Sequence, residues 1–278
     1  MKVLLCPNVL RDTDLSVTKQ VETMLTEYGA ETVCCPLKEC DEKELRAITR
    51  EAENADMVVT FGGDGTILKT ARAVAQFEVP IIAVNLGDMG FMAELEPGEI
   101  DGIRQVLDGD YKIVRRIMLD VSLKRDGETI FEDFALNDIV IKGINKIVTL
   151  ELFGDDNAIS SFTGDGAVIA TPTGSTAYSM SAGGPIVEPD ASNIIITPIC
   201  PHVLTAKSFV LAPERVVRVV LGGRKVSTTV IIVDGQDLTS FKEGDELIVK
   251  VSDRQARFIS LSNRSFYKKV YEKLGERK

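Results

Sequence analysis

The stretch from 57 to 72, MVVTFGGDGTILKTAR, constrains the fold more than any other part of this chain. Val58, Val59 and Thr60 form a β-branched run that reads as a buried strand, and Gly62-Gly63-Asp64-Gly65-Thr66 breaks it. Apolar residues then return at helical spacing through Leu68, Ala71 and Ala75. The result is a strand, a tight glycine turn and a helix N-terminus. Three glycines let main chain approach a ligand where any Cβ would collide, and the first helical turn offers N–H groups and the positive end of a dipole. Such a place suits phosphate. An aspartate there repels phosphate unless it takes a proton or holds a metal. The plainer reading is an Asp-Gly turn in which Asp64 caps the helix, and the pentapeptide alone leaves both readings open.

The surrounding pattern extends this unit in both directions. Residues 2–5 read as a first strand, and Val17, Val21, Met24 and Leu25 mark one face of a helix that Gly29 can end. A second strand follows over 31–35, and Leu45, Ile48 and Ala52 repeat the helical spacing. The glycine-turn strand occupies 57–61, its helix reaches about Phe77, and Pro80 opens the next strand over 80–84. Strands alternating with helices imply a parallel sheet covered on both faces, with ligands bound beyond the carboxyl ends of the strands. Gly62–Thr66 and Asn85-Leu86-Gly87 both fall at such ends, so two loops should converge on one edge.

After Tyr111 strand-like runs separated by turns take over. Residues 118–123 and 129–135 flank Asp126-Gly127 and read as a hairpin. Further strands are expected at 139–142, 147–153, 158–162, 166–170, 193–197, 216–221, 226–233 and 246–260. The final amphipathic segment, 265–274, with Phe266, Val270 and Leu274 on one face, is expected to pack back on the first domain. With 278 residues the chain exceeds a typical single domain. The expected architecture is a doubly wound α/β domain over 1–112, with 261–278 returning to it, and an all-β, sandwich-like domain over 113–260.

Charge and cysteine content exclude some partners. The 32 basic and 42 acidic residues give a net charge of −10, which argues against nucleic acid or an anionic membrane as partner. The N-terminal apolar run is too short for a signal peptide, and no run reaches the ~18 apolar residues of a membrane span. A cytoplasmic location is the expectation. Cys6, Cys34, Cys35, Cys40 and Cys200 are odd in number and lack zinc-type spacing, so buried free thiols are expected.

Three groups carry chemistry. Asp64 with its glycines is the first. Asn137-Asp138, between apolar runs, can bind a ribose diol that donates to the carboxylate and exchanges bonds with the amide, or can simply form a turn. Gly164-Asp165-Gly166 leads into residues 171–185, rich in hydroxyls and small side chains, where Tyr178 offers a face to a heterocycle and Thr176 and Ala177 offer backbone to its edge. A Ser/Thr-rich linker with a core tyrosine is the plainer alternative. His202, the single histidine, stands beside no nucleophile motif, and Asp234-Gly235-Gln236 is either a site loop or a turn. Neither a Walker-type loop nor the Rossmann glycine fingerprint is present.

In this order the motifs resemble those of the NAD kinase family. The resemblance rests on Gly62–Thr66, Asn85-Leu86-Gly87 with Gly90-Phe91, Leu136-Asn137-Asp138, Gly164-Asp165-Gly166, residues 171–185, Pro201-His202 and Asp234-Gly235-Gln236. The glycine-aspartate motif is shared with diacylglycerol and sphingosine-type lipid kinases, whereas the 171–185 pattern is specific to this family. The resemblance implies an active site between the two domains and transfer of a γ-phosphoryl group from ATP, or polyphosphate, to the adenosine-ribose 2′-hydroxyl of NAD, giving NADP. It implies Asp64 as proton acceptor, with Gly62, Gly63 and Thr66 at phosphates and Gly65 giving backbone to the dinucleotide. Lys69, five residues on, matches a basic position in some relatives. Asn137 and Asp138 would hold ribose hydroxyls, Asp165 the nicotinamide end, Thr176, Ala177, Tyr178, Ser179, Met180 and Ser181 the rings, and Gln236 a further polar contact. Mg²⁺ or another divalent cation would come with ATP, no protein metal ligands are assigned, and a homodimer or homotetramer is implied. Two positions depart from the pattern: Asp138 stands where glutamate is usual, and Thr163 where many relatives carry a basic residue. A lipid kinase and a non-catalytic NAD(P)-binding regulator are the competing readings.

Overall fold

A computed structural model describes residues 1–278 apart from 88–89, 204, 224–227, 262–265 and 276–278. It divides into two compact units, Met1–Arg115 with Arg254–Lys278, and Arg116–Asp253.

In the first unit β1 (Lys2–Pro7), β2 (Glu31–Cys34), β3 (Met57–Gly62) and β4 (Ile81–Asn85) pair in parallel in the order β2-β1-β3-β4. Every residue of β3 and β4 is buried, as a strand covered on both faces requires. Val3, Leu5, Val59 and Phe61 pack against Val21 and Leu25 of α1 (Ser16–Glu27) and Ile103 and Val106 of α4 (Gly102–Leu107). Helices α2 (Glu42–Ala52) and α3 (Asp64–Val74) pack together, and the Thr49 hydroxyl donates to the Ala73 carbonyl at 3.0 Å. Gly29, at φ +76°, ends α1 as its sequence suggests. The start of α1 is capped from a distance: the buried Asp12 carboxylate accepts the N–H groups of Val17 and Thr18 and the Thr18 hydroxyl. The strand order reverses between β1 and β3, the place where open α/β sheets bind ligands.

The second unit holds two antiparallel layers. One is built from β5 (Lys112–Arg125), β6 (Glu128–Ala135), β8 (Val148–Gly154), β9 (Asn157–Gly164), β13 (Val217–Gly222) and β16 (Glu246–Ser260). The other runs β12-β11-β10-β7-β14-β15, from Phe209–Leu211, Ile194–Ile199, Gly166–Ala170, Asp138–Ile144, Thr228–Val233 and Gln236–Phe241. Alternate residues of both layers, including Leu150, Leu152, Val217 and Val219 on one side and Ile139, Ile141, Ile169 and Ile231 on the other, share one buried cluster. That is the sandwich-like arrangement expected from alternating runs. The β5–β6 turn has Asp126 and Gly127 at φ +52° and +83°, matching its Asp-Gly signal.

Strand β16 ends in the first unit, where Phe258 pairs in parallel with Ile81, and α6 (Phe266–Leu274) follows. Lys269 ties α6 down through the Ala93 carbonyl at 2.9 Å and the Glu94 carboxylate at 3.7 Å. Residues 226–227 of the expected 226–233 strand, and Ser265 of the expected C-terminal helix, lie outside the described residues. The five cysteines are free, but Cys34 and Cys200 are exposed, which corrects the expectation that all are buried. Cys34 is in the edge strand β2, and Cys200 follows β11 in a left-handed turn at φ +44°. No described helix is long and apolar enough to cross a membrane.

Candidate active site

In the first unit the carboxyl ends of β1, β3 and β4 supply the site. Asn8, just past β1, donates its N–H to the Phe61 carbonyl at 2.8 Å and its side-chain amide to the Thr66 hydroxyl at 3.0 Å. The loop after β4 closes on the glycine turn: the Leu86 N–H reaches the Gly62 carbonyl at 3.0 Å, and a Cβ on Gly87 would lie 3.2 Å from the Gly63 Cα. The two loops do converge. Asn85, buried, holds this loop by accepting the Gly87 N–H at 3.0 Å and donating to Glu96.

Asp64 is not the helix cap. Gly63 occupies the cap position, and Asp64 is the first residue of α3. Its carboxylate accepts the N–H of Phe91 at 2.8 Å and of Met92 at 3.2 Å, so the loop after β4 wraps around it. Gly90 makes this approach possible, since a Cβ there would sit 2.7 Å from the Asp64 Oδ1. Gly62 is required by Thr66, whose side chain would meet a Cβ at 2.7 Å. Gly65 is different: it is exposed and a Cβ there would touch nothing within 4 Å. No packing contact among the described residues accounts for a glycine at this place in the first turn of α3. Lys69 directs its ammonium to the Cys40 carbonyl at 3.4 Å, on the α2 side of α3.

In the second unit the 136–138 turn is gripped from two sides. The Asp234 carboxylate accepts three successive N–H groups, from Leu136 and Asn137 at 2.8 Å and Asp138 at 3.0 Å. From the other side the Thr171 N–H donates to the Asn137 carbonyl at 2.9 Å, and the Thr171 hydroxyl donates to the Leu136 carbonyl at 2.5 Å. The Asn137 Oδ1 is buried with no hydrogen-bond partner among the described residues. Asp138 is 6% exposed, and burial, with the Asp234 carboxylate beside it, pushes its carboxyl up to about 7. It is therefore partly protonated at neutral pH and can donate as well as accept.

Gly174 makes the two-sided grip possible. A Cβ there would lie 2.1 Å from the Asn137 carbonyl oxygen and 2.5 Å from its carbon, both backbone atoms that cannot step aside. Gly174→Ala is expected to cost about 1–3 kcal/mol or more, through displacement of the 136–138 turn. A calorimetric scan checks this, and an unchanged melting temperature would contradict it.

Thr173–Thr176 and Tyr178–Ser181 (α5) each form one short helical turn. Ser179 is buried and shares a 2.9 Å hydrogen bond with Thr197, and Thr176 donates to the Thr173 carbonyl, so these two hydroxyls are spent on local structure. Tyr178 is 37% exposed, Ser181 is exposed, and Ala177 and Met180 are half-buried. Asp165 is fixed through its backbone to Ile199 and Gly143, between glycines that the neighbouring chain crowds. Gln236 begins β15 opposite Val233. The 171–185 segment is thus folded against β10 and β11 and is no linker.

Sequence reasoning assigned no role to Asn8, to the Phe91 and Met92 amides, or to the Asp234 carboxylate. Position at a strand's carboxyl end could have flagged Asn8. The other two act across gaps of 27–28 and 96–98 residues, so the motifs that contain or adjoin them, Gly90-Phe91 and Asp234-Gly235-Gln236, do not reveal what they hold. Among the described residues no group of three or more His, Cys, Asp or Glu is placed to hold a metal ion.

Residues 8–111 match the family model for the ATP-NAD kinase N-terminal domain, and residues 136–261 that for the ATP-NAD kinase C-terminal domain. The NAD kinase of Carboxydothermus hydrogenoformans is 42% identical over 241 residues, 86% of each chain. That of Ruminiclostridium cellulolyticum is 36% identical over 283 residues, covering 100% of this chain and 99% of its own. Among solved structures, yeast NADH kinase complexed with NADH aligns with a TM-score of 0.83 at 26% identity, over 99% of this chain and 87% of that one. An NAD kinase from Archaeoglobus fulgidus in complex with ATP gives a TM-score of 0.75 at 25% identity, over 99% and 98%. With both halves matched and relatives aligned along its whole length, this chain belongs to the NAD kinase family.

Proposed function

We propose that this chain transfers the γ-phosphoryl group of ATP, or a phosphoryl group of polyphosphate, to the 2′-hydroxyl of the adenosine ribose of NAD, making NADP. The observation that carries the reading is the Asp64 carboxylate, fixed by two backbone amides at the head of a glycine-turn helix, in a chain of the NAD kinase family.

Phosphoryl transfer passes through a loose transition state, so the protein mainly has to align hydroxyl, phosphate and cation and spread the charge. In our reading Gly62, Gly63 and Gly65 offer main chain at the start of α3 to phosphate oxygens, where the helix dipole is favourable, and Thr66, whose N–H already donates to the Gly63 carbonyl at 2.9 Å, offers its hydroxyl. Asp64 orients the attacking hydroxyl. A carboxylate is a weak base at neutral pH, so it accepts the proton late, as the bond to phosphorus forms. Mg²⁺, or another divalent cation, enters with the nucleotide as part of that substrate. The unit over Arg116–Asp253 binds the dinucleotide: the buried Asn137 Oδ1 accepts from a ribose hydroxyl, Asp138 exchanges a hydrogen bond with the diol, and Tyr178 lies against a ring. Asp165, Gln236 and the backbone of 176–181 complete that pocket. Lys69 serves the substrate only by leaving Cys40.

We place the enzyme in the cytoplasm, where its free thiols stay reduced, and as a homodimer or homotetramer, which light scattering can check. The activity is tested by supplying NAD, ATP and Mg²⁺ and reading NADP with an NADP-specific dehydrogenase. Turnover with NAD and none with diacylglycerol or a sphingoid base is the expected result. Calorimetric binding of NAD without any NADP formed would instead make the chain a regulator.

A further inference from the structure

The Asp234 carboxylate is buried in a hairpin turn, and its function is not explained by the turn alone. Asp234 and Gly235, at φ +48° and +73°, form the tight turn between β14 and β15, for which any Asp-Gly pair would serve. Yet this carboxylate turns inward, 8% exposed, and receives the N–H groups of three consecutive residues, while the Asp234 N–H returns to the Asp138 carbonyl at 2.9 Å. Three successive amides converging on one anion form a nest, which fixes the direction of every peptide plane in it. Those planes carry Asn137 and Asp138.

We propose that Asp234 is a positioning residue for dinucleotide binding, acting through the 136–138 turn that presents the Asn137 amide and the Asp138 carboxyl to ribose hydroxyls. This rests on the reading of those two residues as ribose-binding groups. Asp234 has a second effect on the same site. Its negative charge stands beside Asp138 and helps hold that carboxyl in its protonated form. Among the described residues, the two strands that pair with β7, namely β10 (GAVIA) and β14 (TTVIIV), contribute no charged side chain. Asp234 therefore sets the direction of the turn and adds to the burial that keeps Asp138 protonated.

The test is steady-state kinetics of Asp234→Asn and Asn137→Ala across pH 5.5–9, with NAD and MgATP varied separately. Asp234→Asn is expected to raise the KM for NAD by roughly 10–100-fold, the scale of a misplaced binding group, with a smaller change in the KM for ATP. The pH at which the NAD KM changes should also move downward, because Asp138 loses its negative neighbour. A merely structural loss would not move that midpoint. If Asn137→Ala raises the NAD KM but Asp234→Asn leaves both KM and midpoint unchanged, the role given to Asp234 is overturned while the ribose reading survives. If Asn137→Ala leaves the NAD KM unchanged, the ribose reading fails and takes this inference with it. Should Asp234→Asn not fold, amide hydrogen exchange in the unmodified protein decides: protection at 136–138 before any NAD is added supports the nest, and exchange as fast as at the exposed Gly127 overturns it.

Discussion

Replacing Asp64 by asparagine is expected to lower turnover by roughly 10²–10⁴-fold, the range for a positioned acid–base group, with NAD affinity largely kept. The substitution preserves size and one carbonyl oxygen, so at least one of the Phe91 and Met92 amides keeps its acceptor and the loop after β4 stays closed. What disappears is the ability to take the proton of the attacking hydroxyl. Because that proton moves only as phosphorus is attacked, the loss falls on the transition state and not on ground-state binding. NADP formation and NAD titration calorimetry separate the two. Unchanged turnover would remove Asp64 from the chemistry, and a parallel collapse of NAD affinity would make it a binding group instead.

Asp138→Asn should change how stability depends on pH. In the unfolded chain this carboxyl ionises near its ordinary value of about 4, while in the folded protein it holds its proton up to about 7. Between those two pH values the folded state binds one more proton than the unfolded state, so stability is lost as pH rises through this window and stays low above it. The ionised, buried form costs on the order of 4 kcal/mol by that linkage, an upper figure for a group of this kind. Asparagine cannot ionise. The variant is therefore expected to be more stable than the unmodified chain at pH 8 and no more stable at pH 4, with NAD binding weakened because the diol loses a carboxyl partner. Denaturant unfolding at the two pH values checks this, and a stability difference that does not vary with pH would contradict it.

Much of the fold was legible because two periodicities write it out. Strands of β-branched residues alternating with helices whose apolar residues recur at three and four gave β1 to β4 and their helices, and the change of period after Tyr111 marked the β-rich part. Asp126-Gly127 worked because only a few residue pairs suit a two-residue hairpin. The misses are equally physical. Helix α4, of six residues, is too short for a period to show, and β12, of three, too short for alternation. Strand β15 gives no separate signal, because Gln236 pairs with Val233 directly after the Asp-Gly turn and leaves no loop to mark its start.

At the site, sequence exposed the residues whose chemistry is unusual where they stand, an aspartate among glycines and an amide beside a carboxylate. It could not expose the groups that orient them. The Phe91 and Met92 amides that hold Asp64, and the Asp234 carboxylate that holds 136–138, act across distant parts of the chain through backbone atoms common to every residue. The cap reading of Asp64 failed for the same reason, since Gly63 stands at the cap and the carboxylate is engaged by the loop after β4.

Following the phosphorus atom is the most direct measurement. With NAD, Mg²⁺ and ATP labelled at its γ-phosphoryl group, the label is expected to be recovered esterified at the adenosine 2′ position of NADP. Label released only as inorganic phosphate, or carried by any other hydroxyl of the dinucleotide, would contradict it.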